Sequence, residues 1–145
     1  ANSVKIRKVP PRSRRAVLRP AGRFFNLKHI FDELNCEYFE GRLACGITWG
    51  ANKKVRNQKT IRLGSYSEAT RTIRVNPVLD RRYVPNYVIR GIVYHEMLHH
   101  FLGTAGQDGG TSAHSAGFRR LERRYRHHHK LQAWLEKHRE HLLGR

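Results

Sequence analysis

The sequence predicts an α+β domain: an amino-terminal helix, a small antiparallel three-stranded sheet, then further helices. Three observations point there. Apolar residues recur at helical spacing at Leu27, Ile30, Phe31, Leu34 and Tyr38, and again through Ile92, Val93 and Leu98. Between them, Thr60–Leu63 and Thr72–Val75 alternate an arginine (Arg62, Arg74) with apolar neighbours, the period-two pattern of half-buried strands. And 145 residues suit one hydrophobic core, with no internal repeat to suggest an array.

Residues 1–23 hold eight basic residues and no acid, interrupted by Pro10, Pro11 and Pro20. Proline removes backbone donors and blocks a regular helix, so this stretch reads as a flexible basic arm. Residues 24–145 then form a single domain ending in a basic helical tail. Order begins near Asn26, a good helix cap, and Gly41 stands where a closing glycine belongs. Three strands follow at Ile47–Trp49, Thr60–Leu63 and Thr72–Val75, with Asn52–Gln58 a polar loop and Ser65–Arg71 a hairpin connection. Pro85-Asn86 opens a second helix that closes at Gly103, and a glycine-rich loop runs to Thr111. Phe118, Leu121 and Tyr125, then Leu131, Trp134, Leu135 and Leu142, mark the inner faces of the last helices.

Charge narrows the function. With 29 Lys+Arg against 11 Asp+Glu, the formal net charge is +18, a surface that favours polyanions. At 39% hydrophobic, the chain is too apolar to be wholly disordered. Cys36 and Cys45 are its only cysteines, too few for a disulfide framework or a four-cysteine zinc ribbon. No apolar run approaches the roughly 18 residues of a membrane span, and no apolar block follows the amino-terminal charges as in a signal peptide. The expectation is a monomer without membrane contact: cytoplasmic, and nucleoid-associated in a prokaryote or nuclear in a eukaryote.

His95-Glu96-Met97-Leu98-His99 reads H-E-x-x-H within the second helix. A spacing of four puts both imidazoles on one face, one turn apart, so both reach the same ion. Zinc suits neutral nitrogen donors, and a catalytic site takes three protein ligands with one position left for water. His114, after the glycine-rich loop, is the third candidate. Glu96 lies about 100° round the helix from His95, given 3.6 residues per turn. That is too far to be an equivalent ligand but close enough to take a proton from a zinc-acidified water and return it to a leaving amine. The chemistry so implied is peptide-bond hydrolysis with one Zn²⁺ per chain.

Tyr94-His95-Glu96-Met97-Leu98-His99-His100 with His114-Ser115-Ala116-Gly117-Phe118 resembles the SprT-like family of zinc metallopeptidases, which includes DNA–protein-crosslink proteases. That family runs H-E-[ML]-[IL]-H, a Gly/Asp-containing loop, then H-x-x-x-F. Ile30 through Leu43 is similar to its opening helix and "N-x-x-Y-F-x-G-x-L" ending, and Gly64 with Ile73-Arg74-Val75-Asn76 to its sheet. The resemblance implies a zincin-like fold, zinc on His95, His99 and His114, Glu96 as base, and protein substrates associated with DNA. The YgjP-like peptidases are similar too, but their loop is shorter and Ala113 replaces an Asn of theirs.

Other features point less directly. Arg12, Arg14 and Arg15 on the arm, with Arg119, Arg120, Arg123 and Arg124 on a late helix, are candidates for sequence-independent phosphate contact. The His127-His128-His129 run cannot converge on one ion from a helix and reads as a solvated basic face. Trp134 and Tyr125 fit the core better than base stacking. Thr72–Val75 or Thr60–Leu63 is the expected edge for an extended peptide, and Tyr66, Tyr94 and Tyr125 are alternative candidates for an oxyanion donor, between which the sequence does not choose. The competing reading is a nucleic-acid-binding module whose zinc is only structural.

Overall fold

Asn26 starts the first helix as its sequence suggests. Its side chain accepts from the backbone N–H of Lys28 and His29, capping α1 (Leu27–Phe39), whose apolar stripe faces inward. The helix closes on two consecutive left-handed residues, Glu40 and then Gly41, so the cap itself falls one residue before the glycine. The computed structural model describes residues 17–51, 59–103 and 114–144. Arg12, Arg14 and Arg15, the Asn52–Gln58 loop and the glycine-rich loop beyond Gly103 lie outside those residues.

The strands are β1 (Gly46–Trp49), β2 (Gly64–Ser67) and β3 (Thr72–Val75), in the order β1-β3-β2. The sheet is mixed rather than antiparallel: β2 and β3 form the expected hairpin, but β1 runs parallel to β3. The chain leaves β1 at one edge, reaches β2 at the other, then turns back between them. Two further expectations change with it. Thr72–Val75 is the central strand, not an edge, and the second strand begins at Gly64, just after Thr60–Leu63. The alternation at 60–63 is real, with Ile61 and Leu63 half-buried and Arg62 exposed. It belongs to an extended lead-in joined to the sheet by Asn76, whose N–H donates to Leu63 O at 2.8 Å and whose amide donates to Arg62 O at 3.1 Å.

Folded structure also begins earlier than Asn26. Trp49 N–H donates to Arg19 O at 3.1 Å, and Arg19 N–H donates to Thr48 Oγ1 at 2.9 Å, laying residue 19 along β1. Farther on, the Asp80 carboxylate accepts from the N–H groups of Arg23, Phe24 and Phe25 at 2.7, 2.9 and 3.2 Å. Proline excludes a helix here but not the form the chain takes: residue 19 lies along β1, and a tight turn follows, closed by Gly22 N–H to Phe25 O at 2.9 Å with Ala21 bridged to Asn26. Among the described residues no strand pairs with the outer side of β2.

Pro85 precedes α2 (Asn86–Leu102), and Gly103 ends it at φ 64°. Ten of its residues are buried, because α1, β2, β3, α3 (Ala116–Glu122) and α4 (His128–Leu142) all pack on it. Val88, Ile89, Val93 and Met97 lie wholly inside beside Leu27, Leu34, Ile73 and Phe118. Each such side chain contributes roughly 1.5–3 kcal/mol on burial. Trp134 and Tyr125 are core residues, Trp134 stacking on His138 at 4.1 Å and Tyr125 on Tyr94 at 5.6 Å. Among the described residues no helix is long and apolar enough to cross a membrane.

Gly91 marks the closest approach of α4 to α2. A Cβ there would lie 2.4 Å from Leu131 Cδ2 and 3.1 Å from Tyr125 Cε2. Helix propensity alone would make Gly91→Ala stabilising by about 1 kcal/mol. Overpacking of a filled core costs about 1–3 kcal/mol and should win, so the variant is expected to lose about 1 kcal/mol in denaturant unfolding. An increase in the unfolding midpoint would show that α4 moves aside freely.

Candidate metal centre

The α2 helix presents His95 and His99 one turn apart, and the chain entering α3 brings His114 back over them. Ring centroids of the three lie 5.0 Å apart in every pair. One nitrogen from each falls within 4.8 Å of the others, and His99 Nε2 and His114 Nε2 are 3.2 Å apart. Two ligands on a tetrahedral zinc, at bonds near 2.0–2.1 Å, stand about 3.3 Å apart, so this separation fits a shared ion. Among the described residues it is the one cluster of three or more His, Cys, Asp or Glu so arranged.

Phe118 explains the spacing of the second half of the motif. Four residues after His114, its buried ring lies 4.6–5.0 Å from all three imidazoles and forms the floor beneath them. Ser115 caps α3, its Oγ accepting from Phe118 N–H at 3.1 Å, which fixes where that ring sits relative to His114.

His95 Nδ1 contacts a carboxylate oxygen of Glu122, at the end of α3. With Nδ1 so engaged, Nε2 is the nitrogen left to face the other two rings. Burial alone would disfavour the charged imidazole. The hydrogen bond to Glu122 and the charges of Glu96 and Glu122 outweigh it and raise the His95 pKa. Burial likewise opposes ionisation of Glu122, but the bond from His95 and the nearby histidine charges hold its pKa low. His99 behaves oppositely: burial, then the charges of His95 and His114, bring it down to about 4. For His114, burial and then the charge of His95 lower it too. The two rings are therefore neutral near pH 7, as metal donors must be.

Glu96 is not part of the imidazole cluster and is 6% exposed. It lies under β2 where Gly64 leaves room: a Cβ there would stand 3.1 Å from Glu96 Oε2 and 3.1 Å from Ile92 Cγ2. Burial raises its pKa against the pull of His95 and Arg62. A carboxylate so placed is a better proton acceptor than one in water. The triad, Glu96 and Arg62 line one cavity of about 380 Å³.

The structure therefore brings together His95, His99, His114 and Glu96. It does not bear out the tyrosines as oxyanion donors. Tyr94 and Tyr125 donate to the carbonyls of Leu121 and Tyr87 at 2.6 and 2.7 Å. Tyr66 donates to Glu68 at 3.0 Å and lies 2.6 Å from His100 Nδ1, which accounts for His100 as well. Arg119, Arg120, Arg123 and Arg124 are exposed on α3 and the turn after it. In the His127–His129 run, His127 precedes α4 and His128 lines the cavity. Sequence reasoning misses Glu122, although a signal exists: it is the sole acid between Asp108 and Glu136, set among arginines.

Residues 27–140 match the SprT-like family. The chain belongs to that family. Among solved structures, this SprT-like protein is similar to the metallopeptidase zymogen of Methanocaldococcus jannaschii jannalysin, at 18% identity and a TM-score of 0.52. The match covers 76% of this chain and 93% of that one, a likeness of fold. It fits the α+β zincin-like architecture, with the sheet mixed. No curated protein matches the chain.

Removing the carboxylate that orients a metal-binding imidazole commonly costs 10- to 100-fold in metal affinity. Glu122→Ala should fall in that range by chelator competition. Glu122→Gln should lose less, because the amide oxygen still accepts from Nδ1–H. Equal affinity in all three proteins would leave Glu122 a surface partner only.

Proposed function

We propose that this SprT-like metallopeptidase is a zinc-dependent endopeptidase acting on proteins gathered on DNA. The observation that carries the reading is a set of three imidazole donors beside a buried carboxylate that is not one of them. A structural zinc is normally enclosed by four protein ligands, whereas three ligands plus a free carboxylate suit catalysis. Neutral nitrogen donors favour zinc among the common divalent ions that are not redox-active. When bound, the metal supplies a Lewis acid that polarises a carbonyl and acidifies water.

The remaining work falls to the chain's own groups. His95, His99 and His114 hold the ion, with Phe118 and Glu122 fixing how the rings point. Glu96 accepts a proton at a carboxylate oxygen and delivers it to the nitrogen of the departing amine, the exchange that its raised pKa favours. Arg62 places a cation on the cavity wall, its Nε donating to Gly64 O at 3.3 Å. The outer side of β2, unpaired among the described residues, offers backbone groups to an extended peptide beside Glu96.

Support for the DNA half is electrostatic. The net charge of +18 and the exposed arginines at 119, 120, 123 and 124 suit phosphate contact without base reading. Arg12, Arg14 and Arg15 would add to it. Such a surface raises the local concentration of enzyme and DNA-bound protein together.

Glu96→Gln should retain about one zinc per chain and lose 10²-fold or more of casein cleavage. His114→Ala should lose the metal itself. Cleavage that survives Glu96→Gln would remove Glu96 as the base, whereas no cleavage by wild type with zinc and DNA both present would favour the nucleic-acid-binding module with a structural metal. Replacing the four arginines by glutamine should weaken DNA binding and flatten its salt slope by about 0.9 for each phosphate no longer neutralised. An unaltered slope would place the DNA-binding surface elsewhere.

A further inference from the structure

Hydrolysis of a peptide bond places negative charge on the carbonyl oxygen, and the tyrosines expected to meet it are already engaged. Tyr94 and Tyr125 border the cavity, but their hydroxyls donate to the carbonyls of Leu121 and Tyr87. Apart from the imidazole cluster, Glu96 and Glu122, the polar side chains left on the cavity wall are Arg62, His128 and Gln132. His128 and Gln132 come from the first two turns of α4. Arg62 comes from the lead-in to β2, the strand that covers Glu96.

Three observations single out Arg62. Its Nε donates to Gly64 O at 3.3 Å, and Gly64 is the residue whose missing side chain leaves room for Glu96, so the cation is tethered beside the carboxylate. Among the described residues no carboxylate forms an ion pair with it, and the residue is exposed, which leaves its terminal N–H groups available to an anion. Its charge also reaches across the site: burial dominates the pKa of both Glu96 and His99, and the Arg62 charge draws each of them down. The charge of His128 acts instead on Glu122, the partner of His95.

We propose that Arg62 is a catalytic residue of this site, its guanidinium donating to the carbonyl oxygen of the scissile bond as that oxygen becomes an anion. The inference rests on the peptidase reading and gives it the oxyanion donor that the tyrosines do not provide. As the water oxygen bonds to the carbonyl carbon, its proton passes to Glu96 and the C=O electron pair moves onto the oxygen beside Arg62. When that pair re-forms C=O, the C–N bond breaks and the proton goes from Glu96 to the amine nitrogen. A guanidinium suits this role because its planar fork offers parallel donors and stays charged at any working pH. One such donor is commonly worth about 10²–10³ in kcat.

Two measurements on the zinc-loaded full chain test this. Arg62→Gln should keep about one zinc per chain, change KM little and lose about 10²-fold or more in kcat. Arg62→Lys should recover part of that loss, and guanidinium added to Arg62→Gly should restore activity that added sodium does not. Independently of turnover, a phosphinic peptide, whose tetrahedral anion resembles the charged oxygen, should bind Arg62→Gln about 10²-fold more weakly than wild type. A thiol on the same peptide, which puts no oxygen at that position, should bind both proteins equally. A raised KM with kcat intact would reduce Arg62 to a contact with the peptide backbone and overturn the proposal. Equal phosphinate affinity in the two proteins overturns it as well, as does the same pattern of losses in His128→Gln with Arg62→Gln unaffected. If wild type cleaves nothing while the phosphinate loss holds, Arg62 stands as an anion donor and the hydrolase reading falls.

Discussion

A helix packed on nearly every side must find a partner for each polar group it buries, and α2 carries its two imidazoles and its carboxylate into just such a position. The two imidazoles are matched by polar partners, and the carboxylate is given room. Glu122 at the end of α3 meets His95, His114 ahead of α3 meets His99, and the missing side chain at Gly64 on β2 leaves room for Glu96. Unmatched, groups of this kind cost several kcal/mol on burial. The rest of the fold can be understood as the scaffold that brings these three arrangements to one helix.

Rigidity follows from the same arrangement. Phe118 touches all three rings, so the floor of the site belongs to the hydrophobic core and not to a loop. Ser115 ties His114 to the start of α3, and α3 is held to α2 by the Tyr94–Leu121 hydrogen bond as well as by Phe118. The imidazoles are thus positioned before any ion arrives, which lowers the reorganisation that binding requires. Preorganisation also keeps Glu96 out of the ligand set and available for proton transfer.

Much of this is legible in the sequence where local rules decide the outcome. Asn26, Pro85 and Gly103 mark helix ends because capping and backbone freedom act within a few residues. The four-residue spacing of His95 and His99 fixes their common face for the same reason. Strand direction is not local: nothing in Gly46–Trp49 records that its partner will be β3, reached after the chain has visited the far edge. The second strand starts later than its alternation suggests. Alternation reports burial, which Ile61 and Leu63 share, while pairing begins only at Gly64. The tyrosine hydroxyls mislead because their acceptors, Leu121 O and Tyr87 O, lie 27 and 38 residues away. Glu122 is visible as a lone acid among arginines, yet its partner is not.

The central claim is that three imidazoles from two segments converge on one zinc. X-ray absorption at the zinc edge of the loaded protein tests it most directly. Three imidazole nitrogens at about 2.0–2.1 Å with one further oxygen are expected. A shell with fewer than three imidazoles, or with sulfur from Cys36 or Cys45, would contradict it.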